Sequence, residues 1–181
     1  YAYWTNDGGN SWLPSPKIVA FDGSDDQYYG KSVSIFNQVA LIGAKNRAYV
    51  YRTTDGGGTW GFVTKLVGSG SVDGDDFGNS VFLQGTFGYE YALVGAYNAD
   101  TSQGAAYMFQ SGDGGKTWVQ ASKLVASDRG GVAGFGHSLT IFEDNALIGA
   151  YVDSGYRRSC LHFRTMQQKL SPREGESRPG V

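Results

Sequence analysis

"AYMFQSGDGGKTWVQASKLV", residues 106–125, reads as an aromatic strand, a tight acidic turn and a second strand. The first strand carries the aromatic residues that favour a pleated surface. The turn holds consecutive glycines, which admit positive φ where other residues are strained. Trp118, Leu124 and Val125 supply apolar positions beyond it. The turn recurs: "TNDGGNSW" (5–12) and "TTDGGGTW" (53–60) match "SGDGGKTW" (111–118), and Trp12, Trp60 and Trp118 stand 48 and 58 residues apart. Self-similarity at such a period marks a repeat architecture.

Three further markers keep the same order. "YYGKSVSI" (28–35), "DFGNSVFL" (76–83) and "GFGHSLTI" (134–141) share the 48 and 58 spacings at their glycines. "ALIGA" (40–44), "ALVGA" (92–96) and "ALIGA" (146–150) form the next set. "YAYW" (1–4), "AYVY" (48–51) and "AYMF" (106–109) form the last. "FGHSLTIF" alternates, Leu139 and Ile141 on one face and Ser138 and Thr140 on the other. "NALIGAY" is nearly continuous and apolar, as an inner strand covered on both faces would be. With no helical period or capping box, each copy reads as four short strands, the pattern of a β-propeller blade. The expected fold is therefore all-β and propeller-type, with about three four-stranded antiparallel blades forming a partial propeller. The repeats fall at about 1–47, 48–105 and 106–156. Residues 157–181 are set apart as an atypical basic tail, disordered in its last stretch, "SPREGESRPGV" (171–181).

Composition agrees. The 28 glycines and 12 tyrosines among 181 residues suit short strands joined by tight turns. Residues 1–156 carry 9 Lys+Arg against 15 Asp+Glu, and residues 157–181 carry 6 against 2. An acidic body lacks the basic stripe that nucleic acid requires, so no nucleic-acid partner is expected. No apolar run reaches the length of a membrane span. Cys160 is the only cysteine, so no disulfide framework exists and redox compartment is not legible. The chain starts at Tyr1, inside a repeat and without an initiator methionine, so an upstream part is expected to be missing.

The repeated aspartates are read as fasteners. A short carboxylate in a hairpin turn accepts hydrogen bonds from nearby N–H groups, and a neighbouring hydroxyl can join it. The tryptophan folds beneath as an apolar plug. Catalysis calls for one special carboxylate in one cleft, not the same residue copied at three blade corners. The structural set is Asp7, Gly9 and Trp12, then Asp55, Gly57 and Trp60, then Asp113, Gly115 and Trp118.

"FGNSV…ALVGA" and its sisters resemble FG-GAP repeats, the propeller modules of integrin α-chain heads and many secreted or surface proteins. The eight-residue turn is similar to the Asp-box of sialidases and other propellers. Together these cover nearly all of residues 1–156. The resemblance implies an extracellular or cell-surface setting. Integrin-type repeats also carry a D-x-D-x-D-G calcium loop. Here the corresponding connections are "FNQ" (36–38), "QGTFGYE" (84–90) and "FEDN" (142–145), which lack alternating carboxylates, so that calcium site is not carried over. Asp73, Asp75 and Asp76 remain a weak candidate cation site; otherwise no cofactor is expected.

Sialidases need an arginine triad and a Tyr/Glu pair. The body has only Arg47, Arg52 and Arg129, of which Arg52 lies on a strand and the others in connections. Glu90 and Glu143 are its only glutamates, both read as turn residues. No catalytic residue is assigned. His137 occupies a slot where the other copies have Lys31 and Asn79, which suits a solvent-facing polar position. Tyr28, Tyr89, Tyr97 and Tyr151, beside strand ends, are candidate ligand contacts.

After "GAYVDSGY" the pattern calls for another aromatic strand, yet "RSCLHFR" opens at Arg158 without β patterning. Read one nucleotide later, a permitted codon set encodes Gly-Ala/Val-Ala/Val-Tyr-Ile-Phe-Glu, the absent strand in register. Residues from about 157 onward are accordingly read as a frameshift, a missed intron boundary or a faulty gene assignment. Cys160 and His162 are not read as a catalytic or metal pair. The function expected is a non-catalytic extracellular recognition or adhesion scaffold binding protein or glycan through propeller loops. The alternatives are a structural repeat component of a surface assembly and a fragment of a sialidase-like enzyme. Open blade edges would invite self-association.

Overall fold

The computed structural model describes residues 1–20, 22, 28–86, 88–127, 134–143 and 145–150, and the backbone alone of 161–165. Short β-strands dominate. A two-residue ribbon pairs β1 (Tyr3–Trp4) with β2 (Leu13–Pro14). The first complete sheet joins β3 (Ser32–Phe36), β4 (Val39–Ala44), β5 (Arg47–Arg52) and β6 (Gly61–Leu66) in that order. The second repeats it with β7 (Ser80–Thr86), β8 (Tyr89–Ala96), β9 (Ala105–Ser111) and β10 (Val119–Leu124). A third contains β11 (Phe135–Phe142), β12 (Asn145–Ala150) and β13 (Leu161–Thr165). Every pairing between these strands is antiparallel, and one isolated parallel bridge joins Gly104 to Phe135. The architecture is a partial β-propeller.

The blade is out of phase with the sequence repeat. Repeats counted from the aromatic strand run across two sheets, because a two-residue turn at Lys45–Asn46 hairpins the glycine-alanine strand β4 directly onto the aromatic strand β5. Each blade therefore begins at the strand that carries or follows the aromatic-glycine pair, Tyr29-Gly30, Phe77-Gly78 or Phe135-Gly136. By the 48-residue offset, β1 and β2 are the third and fourth strands of a blade that precedes the first complete one.

Blade packing follows from period-two alternation. All six residues of β4 are buried. Val39 and Leu41 face the second blade and join a core with Phe77, Val81, Leu83, Val94, Tyr107 and Phe109. Ala40, Ile42 and Ala44 face the other way, meeting Ile18, Ala20 and Trp60. Leu93 of β8, the counterpart of Leu41, packs into a third core with Phe135, Ile141 and Ile148. The hydrophobic core is thus a series of seams between blades. Burying each such side chain contributes about 1.5–3 kcal/mol.

Three expectations change here. "RSCLHFR" lacks a β pattern, yet the backbone of Leu161–Thr165 pairs along β12 from Asn145↔Thr165 to Gly149↔Leu161. An open strand edge offers unpaired N–H and C=O groups, which accept an extended partner whatever its side chains. Residues 157–160 and 166–181, with the expected disorder and frame change, lie outside the described residues. Glu90 sits in β8 rather than a turn, and Arg47 opens β5.

Between β8 and β9 runs one helical turn, α1 (Ala99–Ser102). Asp100, Thr101 and Ser102 all have positive φ, 53°, 59° and 67°, which costs each non-glycine residue about 1–2 kcal/mol. The Asp100 carboxylate then lies 2.9 Å from Lys123 Nζ on β10, and Gly104 N–H closes the turn onto the Ala99 carbonyl at 2.8 Å.

Candidate functional site

The three acidic turns share one hydrogen-bond scheme. In the turn after β9, Ser111 Oγ donates to Asp113 Oδ1 at 2.8 Å and accepts from Gly115 N–H at 2.9 Å. Thr117 donates twice to the same carboxylate, from N–H to Oδ1 at 2.9 Å and from Oγ1 to Oδ2 at 2.7 Å. Asp55 accepts the same set from Thr53 and Thr59, and Asp7 from Thr5 and Ser11. Gly57 and Gly9 N–H groups bond Thr53 and Thr5 in the Gly115 manner. These donors, foremost the hydroxyls of Thr117, Thr59 and Ser11, hold all three carboxyls below the usual range, Asp113 down to about 2. A carboxylate saturated by donors in this way is a poor general acid or base at neutral pH.

The tryptophans differ. Trp60 and Trp118 are half-buried and pack into seams, and Trp118 Nε1 donates to the Gly115 carbonyl at 3.1 Å. Trp12 is 60% exposed and does not plug its turn. Trp60 and Trp118 each pack toward the blade preceding their own, and among the described residues none precedes the β1–β2 ribbon.

Asp113→Ala is expected to lower the Tm by about 3 °C, because it removes the shared acceptor of Ser111 Oγ, Lys116 N–H, Thr117 N–H and Thr117 Oγ1 from one exposed turn. Asp113→Asn, which keeps one acceptor oxygen, should fall between. Because the folded carboxyl titrates below its ordinary value of 3.8, its contribution is present above pH 3.8 and lost as pH falls toward 2. The Tm difference between wild type and Asp113→Ala should therefore shrink over that window in pH-dependent melting.

The acidic triplet does not converge. Asp75 is buried and accepts from Val72 N–H at 2.9 Å, Asp73 from Asn46 Nδ2 at 3.2 Å and Asp76 from Asn98 Nδ2 at 3.1 Å. Among the described residues no three His, Cys, Asp or Glu side chains gather as a cation would need. Separate amide donors, Val72 N–H, Asn46 and Asn98, each engage one of the three carboxylates.

At the opposite end of the blades from the acidic turns, a cluster forms where the first strands begin. β3 packs beside β7, and β7 beside β11, so these strands lie nearest the propeller axis. Each is entered through a turn whose first residue has positive φ: Tyr28 at 70°, Asp76 at 56° and Gly134 at 57°. Lys31, Asn79 and His137 close these turns, donating N–H to the carbonyls of Tyr28, Asp76 and Gly134. Tyr28 is 65% exposed. The Lys31 ammonium stands 5.6 Å from the Tyr28 ring centroid and 5.8 Å from that of Tyr97, within cation–π range. Tyr97 meets the His137 ring edge-on at 5.7 Å, and hydrogen bonding to Asp76 raises its phenol above the ordinary value. Three blades contribute to this group.

The four candidate tyrosines thus separate. Tyr28 and Tyr97 come together. Tyr89 stands eight residues from Tyr97, about 26 Å along an extended strand, and lines a cleft of about 190 Å³ with Tyr91, Gln110 and Thr117. Tyr151 lies outside the described residues. Lys31 was not foreseen as a site residue; the signal was a variable polar slot, Lys, Asn or His, after an invariant glycine. The arginines do not form a triad among the described residues. Arg47 is 3.6 Å from Asp22, and Arg52 bonds Gln38 Oε1 and the Gly114 carbonyl; Arg129 lies outside them. Glu90 is buried with Oε2 lacking a hydrogen-bond partner, and burial pushes its carboxyl up.

No curated protein matches the chain. The FG-GAP repeat family matches residues 12–57, 60–109 and 118–159, each segment holding a Phe-Gly or Tyr-Gly pair at the entry to a blade's first strand and the glycine-alanine strand paired to that strand. Those two elements meet at every blade seam, and the chain belongs to the FG-GAP repeat family.

Proposed function

We propose that this protein is a non-catalytic recognition or adhesion scaffold, working outside the cell, that binds a protein or glycan through one propeller face. The observation carrying this reading is the Tyr28–Lys31–Tyr97–His137 group at the mouth of the seams. An exposed aromatic held at positive φ is costly for stability alone, and such strain gathers at functional sites. Aromatic rings flanking a cation give a platform for sugar faces and anionic groups. The three acidic turns serve as blade fasteners in this reading, with their carboxylates engaged by donors. No helix among the described residues is long and apolar enough to cross a membrane. A structural, repeat-built role is the second reading, favoured by Val33 and Ile35, 69% and 64% exposed on the first complete blade.

A glycan array read alongside binding to extracellular-matrix proteins tests the first reading. Tyr28→Gly should weaken the wild-type interaction at least tenfold, about 1.4 kcal/mol, while melting no lower, because glycine removes the backbone strain. Wild-type protein that recognises nothing on either surface, or a Tyr28→Gly variant that binds unchanged, defeats the assignment.

A further inference from the structure

We propose that the Tyr28–Lys31–Tyr97–His137 group, granted that it is the recognition face, takes the carboxylate of an acidic sugar, with Lys31 as its charge partner. The ligand class follows from what surrounds the Lys31 ammonium. Its neighbours are the rings of Tyr28 and Tyr97, 5.6 and 5.8 Å away at their centroids. Among the described residues no carboxylate stands within ion-pair distance of it, whereas Lys65 and Lys123 pair with Asp22 and Asp100. Aromatic faces attract a cation without neutralising it, so Lys31 keeps a whole charge at an exposed position.

Asp76 adjoins the group through Tyr97 and would oppose an anion if it were free. Its carboxylate accepts from Asn98 Nδ2 at 3.1 Å and engages the Tyr97 phenol. In the next two blades the slot of Lys31 holds Asn79 and His137, so all three positions offer N–H donors and none a carboxylate. Asn79 Nδ2 donates to the His137 carbonyl at 3.2 Å, which ties two of the slots together.

A sugar fits this face better than a peptide. Extended peptides are read through main-chain hydrogen bonds, and the backbone here is closed on itself. Gly30 N–H donates to the Gly43 carbonyl at 3.0 Å and Lys31 N–H to that of Tyr28 at 2.9 Å. Asn79 and His137 N–H groups are engaged by the carbonyls of Asp76 and Gly134. What remains for a ligand is the exposed Tyr28 ring and one ammonium. A uronate offers an apolar C–H face for the ring and a single carboxylate for the cation. A densely sulfated chain matches less well. Residues 1–156 carry 9 Lys+Arg against 15 Asp+Glu, and that balance repels a polyanion.

Titration calorimetry on the 181-residue chain tests this with a (1→4)-linked galacturonate hexamer, its fully methyl-esterified form and dextran sulfate. The acid should bind at least about tenfold more tightly than the ester, which keeps the shape and loses the charge. That advantage should shrink at about 1 M salt, where the screening length falls to about 3 Å. Lys31→Met keeps the apolar stem and should abolish the preference, and Lys31→Arg should retain it. Lys31 is exposed, so both variants should melt as wild type does. An ester bound as tightly as the acid overturns the proposal. So does a preference that survives Lys31→Met, or dextran sulfate bound more tightly than the hexamer. If no saccharide binds while a matrix protein does, and Tyr28→Gly weakens that contact, the acidic sugar is wrong and the recognition face stands. Wild-type protein that binds neither saccharide nor matrix protein removes the face itself, and this ligand with it.

Discussion

Phe77→Ala should lower stability by about 3–5 kcal/mol, the range for removing a fully buried aromatic without collapse of its surroundings. Phe77 has no exposed surface and meets the Tyr107 ring at 5.3 Å and the Phe109 ring at 6.2 Å, both edge-on. Its side chain sits in the core shared by the first two complete blades, so the cavity would open at the seam itself. Domains are stable by only about 5–15 kcal/mol; the loss would consume much of that margin. Chemical denaturation of the two proteins measures it. Phe77→Leu, which fills most of the space but drops the ring contacts, should cost about 1–1.5 kcal/mol. Equal losses for the two substitutions would mean that volume is not what Phe77 supplies.

The second large effect is expected from adding a single carbon. A Cβ on Gly95 would overlap the Gly136 carbonyl oxygen of the next blade and Ser80 Oγ. One of these is backbone, held by the Ser80 hydrogen bond across the seam, and cannot swing aside as a long side chain would. Gly95→Ala should therefore cost about 3 kcal/mol, a fall in Tm of about 6–12 °C for a chain of this size. Gly61→Ala is the control. It adds the same atom to an edge strand where the nearest neighbour, the Arg52 carbonyl oxygen, is 3.7 Å away. That change should stay within about 0.5 kcal/mol. If Gly95→Ala melts like the control, the blades are not in the close contact described here.

These two positions also locate the limits of sequence reading. Phe77 and Gly95 were visible as repeat markers, but their reason was not. Phe-Gly and the glycine-alanine strand mark the period because both lie at the contact between blades, where backbone meets backbone. A linear pattern reports that a glycine recurs; only the neighbouring blade explains why nothing larger fits. The same holds for the blade boundary. Counting from any marker gives the right period, yet hairpin pairing at Lys45–Asn46 chooses which four strands share a sheet.

The candidate site divides along the same line. The acidic turns were readable because the hydrogen bonds to the carboxylates of Asp7, Asp55 and Asp113 come from donors within four residues in the chain, so spacing is geometry. The Tyr28–Lys31–Tyr97–His137 group was half visible. Its tyrosines stood out beside strand ends, but grouping them with Tyr89 ignored strand direction, which sends Tyr89 to the far end of β8. Lys31 was legible only as a solvent-facing polar slot, because its partners, Tyr28 aside, are supplied by another blade. Asp73, Asp75 and Asp76 looked convergent in one dimension and are not, since Val72, Asn46 and Asn98 each capture one carboxylate.

Strand-forming composition, alternation and turn chemistry were thus enough to specify repeated four-stranded sheets and their period, because those depend on neighbours a few residues apart. Which faces of those sheets are covered, which Trp is buried, which aromatics meet a lysine and which edges stay open depend on contacts between residues far apart in the chain, such as Lys31 with Tyr97. Trp60 and Trp118 are covered and Trp12 is not, although all three sit in the same motif. The difference is the presence or absence of a packed neighbour, and burial is a property of the pair of surfaces, not of either one.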